Sequence, residues 1–346
     1  LYRNFRFHLW TLMLLVLTIA ASSSCQGAAG NENLAGDGAL ESGELTLPKL
    51  TEVRDGDRPI RLVATTGIIG DVASNIAGKQ VELGVLMAPN QDPHGYQSTA
   101  GDLQLAAHAD AVLVNGWRLE ESLIDDLENA AGDVPIVPVS SGIEPRFFNG
   151  SGASGDAGRV DPHVWLSPIN VMVWASNIEL VLSELDPANS ESYAQRASDY
   201  QSRLRELDAY IREQIERIDA GRRVLVTNHD AFGYFADTYG FKVVGTIIPG
   251  DSSLAEPASR QLANLIERMR EASVCAIFME HSANPRVASQ LAADLDYCDQ
   301  VRIVELYSGA LGEEGSGAET YLTMMKANVD MIVEALVPVS GAANGG

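Results

Sequence analysis

The chain has 346 residues, 46% hydrophobic and 21% charged, which is typical of a globular protein long enough for about two domains. Its formal net charge is −23, because 47 aspartates and glutamates outnumber 24 lysines and arginines. Nucleic-acid binding requires a basic surface, so this charge disfavours that class of function.

The first residues have the pattern of an export signal. Two arginines precede an apolar run from Leu9 to Ala21, which is too short for a comfortable transmembrane span. Cys25 follows three serines and resembles the lipidated cysteine of a bacterial lipoprotein, although Ser22 stands where leucine is more usual. We therefore predict a lipoprotein-type signal peptide over residues 1–25, with Cys25 as a membrane anchor.

Residues 26–57 are rich in Gly, Ala, Asn and Glu without a sustained period, which predicts a flexible tether. From residue 58 to 186, short apolar runs alternate with helical patterns. This alternation predicts an α/β lobe with parallel strands. The expected strands are 61–66, 81–87, 111–115 and 134–139, and the expected helices are 68–77, 98–107, 120–130 and 168–185.

A longer helical pattern at 191–219 lies within a predicted linking segment, 187–220, and would extend over about 40 Å. Such a helix can join two lobes rigidly, and the alternative is an ordinary long surface helix. The α/β pattern then restarts over 221–338, and residues 339–346 are expected to be a disordered tail. The expected strands of the second lobe are 223–227, 242–248, 274–279 and 301–306, and the expected helices are 231–239, 257–271, 285–295 and 319–336. The predicted fold class is thus α/β, with two similar lobes.

Two of the six histidines directly follow an Asp-Pro pair, in Asp92-Pro93-His94 and Asp161-Pro162-His163. Proline restricts its own φ and favours extended geometry in the preceding residue, so each histidine lies on a stiff bend. Imidazole is the commonest metal ligand, and such a bend would hold it in place. Two turns that merely carry histidine are the alternative reading, but a third candidate, His229, favours a metal site.

In open α/β sheets, ligands bind beyond the carboxyl ends of the strands. His94, His229 and Glu280 each follow a predicted strand, and His163 lies on the connection that leaves the first lobe. These side chains could therefore converge in a cleft between the lobes. Two alternatives stay open, since His229 could cap the helix after it and Glu280 could be a structural carboxylate that bonds backbone amides.

Beyond the signal, the chain contains two cysteines, Cys275 and Cys298. An exported protein enters an oxidising compartment, so a disulfide between them is one possibility. Two buried free thiols are the other.

Several segments, in order, resemble the metal-binding proteins of ABC-type zinc and manganese importers. They are 92–116, 161–168, 228–235, 278–285 and 315–321. The similarity extends from about residue 60 to 337, and several motifs together are specific. It implies two α/β lobes bridged by one long helix, a metal in the cleft, and metal ligands at His94, His163 and His229.

The fourth family ligand does not carry over to this chain. Many relatives have aspartate in a Leu-Tyr-x-Asp-x-Leu-Gly pattern, where residues 306–312 place Gly309. A water, Glu280 or Glu305 could fill the vacant position. The histidine-rich loop of some zinc importers is also absent, and a glycine-serine segment at 149–158 lies in its place.

Three neutral imidazoles with at most one carboxylate favour Zn²⁺, because Mn²⁺ prefers oxygen ligands. The resemblance implies a monomeric, extracytoplasmic solute-binding protein that captures Zn²⁺ for an ABC permease and its ATPase, with His94, His163, His229 and Glu280 at the metal. Such a protein is not an enzyme. One alternative is Mn²⁺ binding within the same family. Another is a zinc hydrolase with an open water position and Glu280 as general base, although no HExxH-type helix accompanies the histidines.

Overall fold

The structure is a computed structural model that describes residues 44–53, 58–148, 158–248, 250, 253, 257–281 and 283–337. The predicted signal peptide with Cys25, the first part of the tether, most of the glycine-serine segment and the predicted disordered tail lie outside the described residues. Among the helices within the described ranges, none is both long and apolar enough to cross a membrane.

The first lobe contains a parallel sheet in the strand order β2-β1-β3-β4. Its strands are β1 (Ile60–Ala64), β2 (Val81–Val85), β3 (Ala111–Val114) and β4 (Ile136–Pro138). Its helices are α1 (Gly67–Ala77), α2 (Ala100–Ala107), α3 (Glu121–Ala131) and α4 (Pro168–Leu185). Every residue of β3 is buried, as expected for a central parallel strand that is covered on both faces.

Local sequence explains where two of these helices begin. Thr99 caps α2, and its side chain and that of Asp102 bond each other's backbone N–H in a capping box. Pro168 occupies the first turn of α4, where its missing N–H costs nothing. Helices α2 and α4 both begin at or beside the predicted residue. Their first residues determine where the preceding loops end.

Residues 44–53 correct the prediction of a tether that is flexible throughout. Leu45 and Leu50 are buried in the core of the first lobe, and the N–H of Val53 donates to the carbonyl of Leu185 at 2.9 Å. The spaced leucines of this segment bury apolar area, which offsets the entropy lost on ordering the chain. The composition of the whole segment did not reveal that these few apolar residues are enough to attach it to the core.

The second lobe repeats the design with the parallel order β6-β5-β7-β8. Its strands are β5 (Val224–Thr227), β6 (Lys242–Thr246), β7 (Ala276–Glu280) and β8 (Arg302–Leu306). Its helices are α6 (Gly233–Tyr239), α7 (Ser259–Glu271), α8 (Arg286–Ala293) and α9 (Tyr321–Leu336). The predicted fold class of two similar α/β lobes with parallel sheets is therefore confirmed.

Helix α5 (Ser190–Glu216) has 27 residues, which corresponds to about 40 Å. It packs against α1 and α4 of the first lobe and against α9 of the second. Arg203 donates to Asn75 in α1 at 2.9 Å, and the Tyr210 hydroxyl donates to Asp330 in α9 at 2.6 Å. The prediction of one long helix that joins the lobes is thus confirmed over the alternative of an ordinary surface helix.

Cys275 and Cys298 form a disulfide, so the alternative of two free thiols is wrong. The bond joins the residue before β7 to the segment before β8 and closes a loop across a sequence separation of 23. It lies beside the second-lobe core, away from the carboxyl ends of the strands.

We expect the double variant Cys275→Ala/Cys298→Ala to lose about 3 kcal/mol of unfolding free energy, the chain-entropy value for a loop of this size. Urea unfolding followed by circular dichroism measures the loss. Wild-type protein treated with a thiol reductant should unfold at the same urea concentration as the variant. A variant as stable as the oxidised wild type would contradict the prediction.

Candidate metal centre

The same local device positions His94 and His163. In each Asp-Pro-His turn, Oδ1 of the aspartate accepts a hydrogen bond from the histidine backbone N–H at 3.0 Å. This contact is an Asx-turn, which aspartate side chains commonly form with the backbone two residues later. His94 lies on the loop after β2, and His163 lies on the connection between β4 and α4. Each turn therefore fixes the backbone from which its imidazole projects.

His229 comes from the second lobe, two residues after the end of β5. The Thr227 hydroxyl donates to its carbonyl at 2.8 Å and holds the turn that follows the strand. Helix α6 begins only at Gly233, with Phe232 in the capping position, so His229 does not cap that helix.

The structure brings the three imidazoles together in the interior. Nε2 of His163 lies 3.1 Å from Nε2 of His94 and 3.3 Å from Nε2 of His229, and one potential ligand atom of each lies within 4.8 Å of the others. All three residues are at most 4% exposed. In a tetrahedral zinc site with Zn–N of about 2.0–2.1 Å, the nitrogens would be roughly 3.3–3.4 Å apart. The spacing of these nitrogens is therefore close to what a zinc ion needs.

A carboxylate lies behind the other nitrogen of each ring. His163 Nδ1 is 2.9 Å from Asp161 Oδ1, His94 Nδ1 is 3.4 Å from Glu121 Oε1, and His229 Nδ1 is 3.6 Å from Glu280 Oε2. Only the His163 contact meets hydrogen-bond geometry, and it orients that ring as carboxylates do for metal-binding histidines. Nδ1 of His94 and Nδ1 of His229 have no hydrogen-bond partner among the described residues. Sequence reasoning missed Asp161 and Glu121 beside these rings. The Asp-Pro-His motif itself was a signal for Asp161, whereas nothing local pointed to Glu121.

Burial keeps two of the imidazoles neutral. It lowers the pKa of His229 to about 3 and, with repulsion from the other two rings, lowers the pKa of His163 well below its usual range. Burial also opposes the charged form of His94, but Glu121 and other carboxylates outweigh it and raise the pKa of His94. Neutral rings offer a lone pair to a cation without first losing a proton.

Glu280 is buried at the end of β7, beside the imidazoles but outside the group of three. Its Oε2 has no hydrogen-bond partner among the described residues. Burial, and next the charge of Asp92, raise the pKa of Glu280 to about 7, while the N–H of Gly309 stabilises the carboxylate. The interpretation of Glu280 as a carboxylate that bonds a backbone amide therefore has support, but one oxygen remains available.

Gly309 explains why Glu280 fits here. A Cβ at position 309 would lie 2.7 Å from Glu280 Oε1 and 3.1 Å from Pro93 Cδ. The glycine thus leaves space next to the His94 loop, and the Glu280 carboxylate occupies its edge. Glu305, the other carboxylate considered, is 57% exposed and pairs with His281 instead.

Comparisons with known proteins agree with this architecture. The family model described as "Zinc-uptake complex component A periplasmic", ZnuA, matches residues 62–335. Zinc-binding protein TroA of Treponema pallidum is 36% identical over 280 residues, which are 80% of this chain and 88% of that protein. Manganese-binding lipoprotein MntA of Halalkalibacterium halodurans is 34% identical over 278 residues, with coverage of 80% and 88%.

The solved structure of the periplasmic zinc binding protein TroA from Treponema pallidum has a TM-score of 0.73 to this chain at 34% identity, and the match covers 81% of this chain and 100% of that chain. The residues matched by the family model include the three clustered histidines, the disulfide and the long helix α5. The chain therefore belongs to the ZnuA family of periplasmic metal-binding proteins, as its motifs indicated.

Proposed function

We propose that this protein is the substrate-binding protein of an ABC-type metal importer and that its substrate is Zn²⁺. It captures the ion outside the membrane and releases it to a permease driven by an ATPase. The observation that carries the proposal is the convergence of three buried Nε2 atoms from both lobes. The relatives are named as binding proteins rather than catalysts, so the protein is not an enzyme and the zinc hydrolase alternative is set aside.

The ligand chemistry favours zinc over manganese. Imidazole nitrogen suits Zn²⁺, whereas Mn²⁺ prefers carboxylate, carbonyl and water oxygens in octahedral geometry. The two Nε2–Nε2 distances from His163, 3.1 and 3.3 Å, are close to a tetrahedral edge, and Glu280 Oε2 lies nearby, 3.6 Å from Nδ1 of His229. Manganese is the second candidate, and the name of the relative MntA supports it.

Glu280 is the proposed fourth ligand. A buried carboxylate oxygen without a hydrogen bond is costly unless a cation compensates it. This oxygen lies 3.6 Å from Nδ1 of His229, and we propose that the carboxylate turns toward the Nε2 atoms when the ion binds. Bound in this way, the ion would have three neutral ligands and one negative charge around it.

Capture and release depend on the burial of the site. Coordination by three preoriented imidazoles replaces the hydration shell of the ion, and the low-dielectric interior strengthens each contact. Because His229 and Glu280 belong to the second lobe and the other two histidines to the first, separation of the lobes would divide the set of ligands. Release to the permease would then follow from opening of the cleft.

The location outside the cytoplasm rests on the predicted signal peptide and on Cys25, which we propose is lipidated and anchors the protein to the outer face of the cell membrane. The name of the relative MntA, a lipoprotein, supports this placement. The protein is proposed to act as a monomer.

Calorimetric titration of chelator-stripped protein tests the function. We expect one tight Zn²⁺ site per chain and Mn²⁺ binding weaker by at least about tenfold, or ~1.4 kcal/mol. Competition between the two ions in one cell provides the control. The absence of a tight divalent site would refute the proposal, and tighter binding of Mn²⁺ than of Zn²⁺ would establish the manganese alternative.

A further inference from the structure

Arg146 joins the carboxylate behind a proposed metal ligand to the opposite lobe. It lies on the segment between β4 and α4, and this segment pairs with the segment before His163 through an antiparallel bridge between Phe147 and Val160. The N–H of Asp161 donates to the Arg146 carbonyl at 2.7 Å. Arg146 and Asp161 are thus held side by side by their own backbones.

The guanidinium of Arg146 contacts a carboxylate on each side. Nη1 donates to Asp161 Oδ2 at 3.1 Å, and Nε donates to Asp237 Oδ2 at 3.0 Å. Asp161 is fully buried in the first lobe, and its other oxygen faces His163. Asp237 lies on α6 of the second lobe.

Two further contacts place α6 directly on this pair. The Arg146 backbone N–H donates to the Tyr234 hydroxyl at 2.8 Å. A Cβ at Gly233, the first residue of α6, would lie 2.3 Å from Arg146 Cζ and 2.5 Å from Asp161 Oδ2. Only a residue without a side chain permits this approach. Since α6 begins four residues after His229, the contact joins the supports of His163 and His229.

We propose that Arg146 is a positioning residue that holds α6 against Asp161, keeps the histidines of the two lobes in register and so slows release of the metal. This inference rests on the proposed function. Arg146 does not touch the ion, and it acts through Asp161 on one side and through α6 on the other. A planar guanidinium can bond two carboxylates at once, which lysine cannot do with the same geometry.

The release rate of bound Zn²⁺ into excess fluorescent chelator, followed by stopped flow, tests the proposal. We expect Arg146→Met to release Zn²⁺ at least about tenfold faster than wild type, the lower end of the effect of groups that support metal ligands. Gly233→Ala should also accelerate release, because its methyl group separates α6 from the Arg146–Asp161 pair without changing any charge. Asp237→Asn should have a smaller effect, since Asp237 is 71% exposed.

Arg58→Met is the matched control, because Arg58 forms a two-pronged ion pair with Asp110 in the first lobe. The Arg58→Met variant should change the release rate by less than about twofold. The thermal midpoint of the metal-free protein is measured for every variant and reports any general loss of stability. Wild-type release rates in both Arg146→Met and Gly233→Ala, or an equal acceleration in Arg58→Met, would overturn the inference. If Arg146→Met does not fold, Gly233→Ala decides alone. Failure of the wild type to bind Zn²⁺ would instead refute the proposed function.

Discussion

Replacing His94, His163 and His229 together by alanine is expected to abolish tight Zn²⁺ binding. Apparent binding free energies of zinc sites with four ligands are about 10–16 kcal/mol, so one ligand accounts for roughly 3 kcal/mol. Each single substitution should therefore weaken Zn²⁺ binding by roughly 100-fold. The triple variant should show no site in a calorimetric titration, because Glu280 alone cannot hold the ion.

A variant with His108→Ala and His281→Ala serves as the control for the removal of histidines in general. Both side chains are exposed, and neither belongs to the group of three. The control should bind Zn²⁺ as the wild type does. A triple variant of the clustered histidines that folds and still binds one Zn²⁺ tightly would show that the metal lies elsewhere.

Gly309→Asp is expected to raise the affinity for Mn²⁺ by roughly 100-fold, the share of one added ligand. Carboxylate oxygen suits Mn²⁺, and position 309 lies beside Glu280 and beside Pro93, the residue before His94. The backbone at 309 does not require the left-handed region, so aspartate fits its φ. The Cβ of the new aspartate would approach Glu280 Oε1, so the Glu280 carboxylate must move. Because Glu280 is the proposed fourth zinc ligand, we expect the gain in Zn²⁺ affinity to be smaller than the gain in Mn²⁺ affinity.

The Gly309→Asn variant separates the effect of the negative charge from the effect of side-chain size, because asparagine has nearly the same volume as aspartate and no charge. We expect this variant to leave the affinity for Mn²⁺ unchanged or lower. Titration of both variants with Zn²⁺ and Mn²⁺ measures the ratio of affinities. If aspartate and asparagine have equal effects, or if aspartate leaves Mn²⁺ binding unchanged, Gly309 does not determine metal preference.

Most elements of the fold were predictable because their signals are local. The expected helix at 168–185 coincides with α4, and the long helical pattern at 191–219 corresponds to α5, Ser190–Glu216. The predicted helix boundary was wrong where the chain first has to place a histidine in the cleft. The expected helix from 231 begins only at Gly233, since residues 229–232 carry His229 around a turn before α6 can start.

The candidate site was only partly predictable. The Asp-Pro-His turns identified two imidazoles, and the position after β5 identified the third. The contacts of Glu121 with His94 and of Asp161 with Arg146 had no equivalent local pattern, because helix α3 and the segment after β4 reach the site through the packing of the first lobe. The sequence left the disulfide undecided for the same reason, since the spacing of two cysteines along the chain does not give their distance in space.

By itself, the sequence determined the order of strands and helices, the family, and which imidazoles are candidates for the metal. Periodicity and turn chemistry act over a few residues, so they can be read from the chain. Only the tertiary structure decided that Nε2 atoms 66 and 69 residues apart meet at one point and that Arg146 contacts a helix residue 88 positions away. Such contacts arise when helices of both lobes pack against α5, because distance in space then depends on packing rather than on separation along the chain.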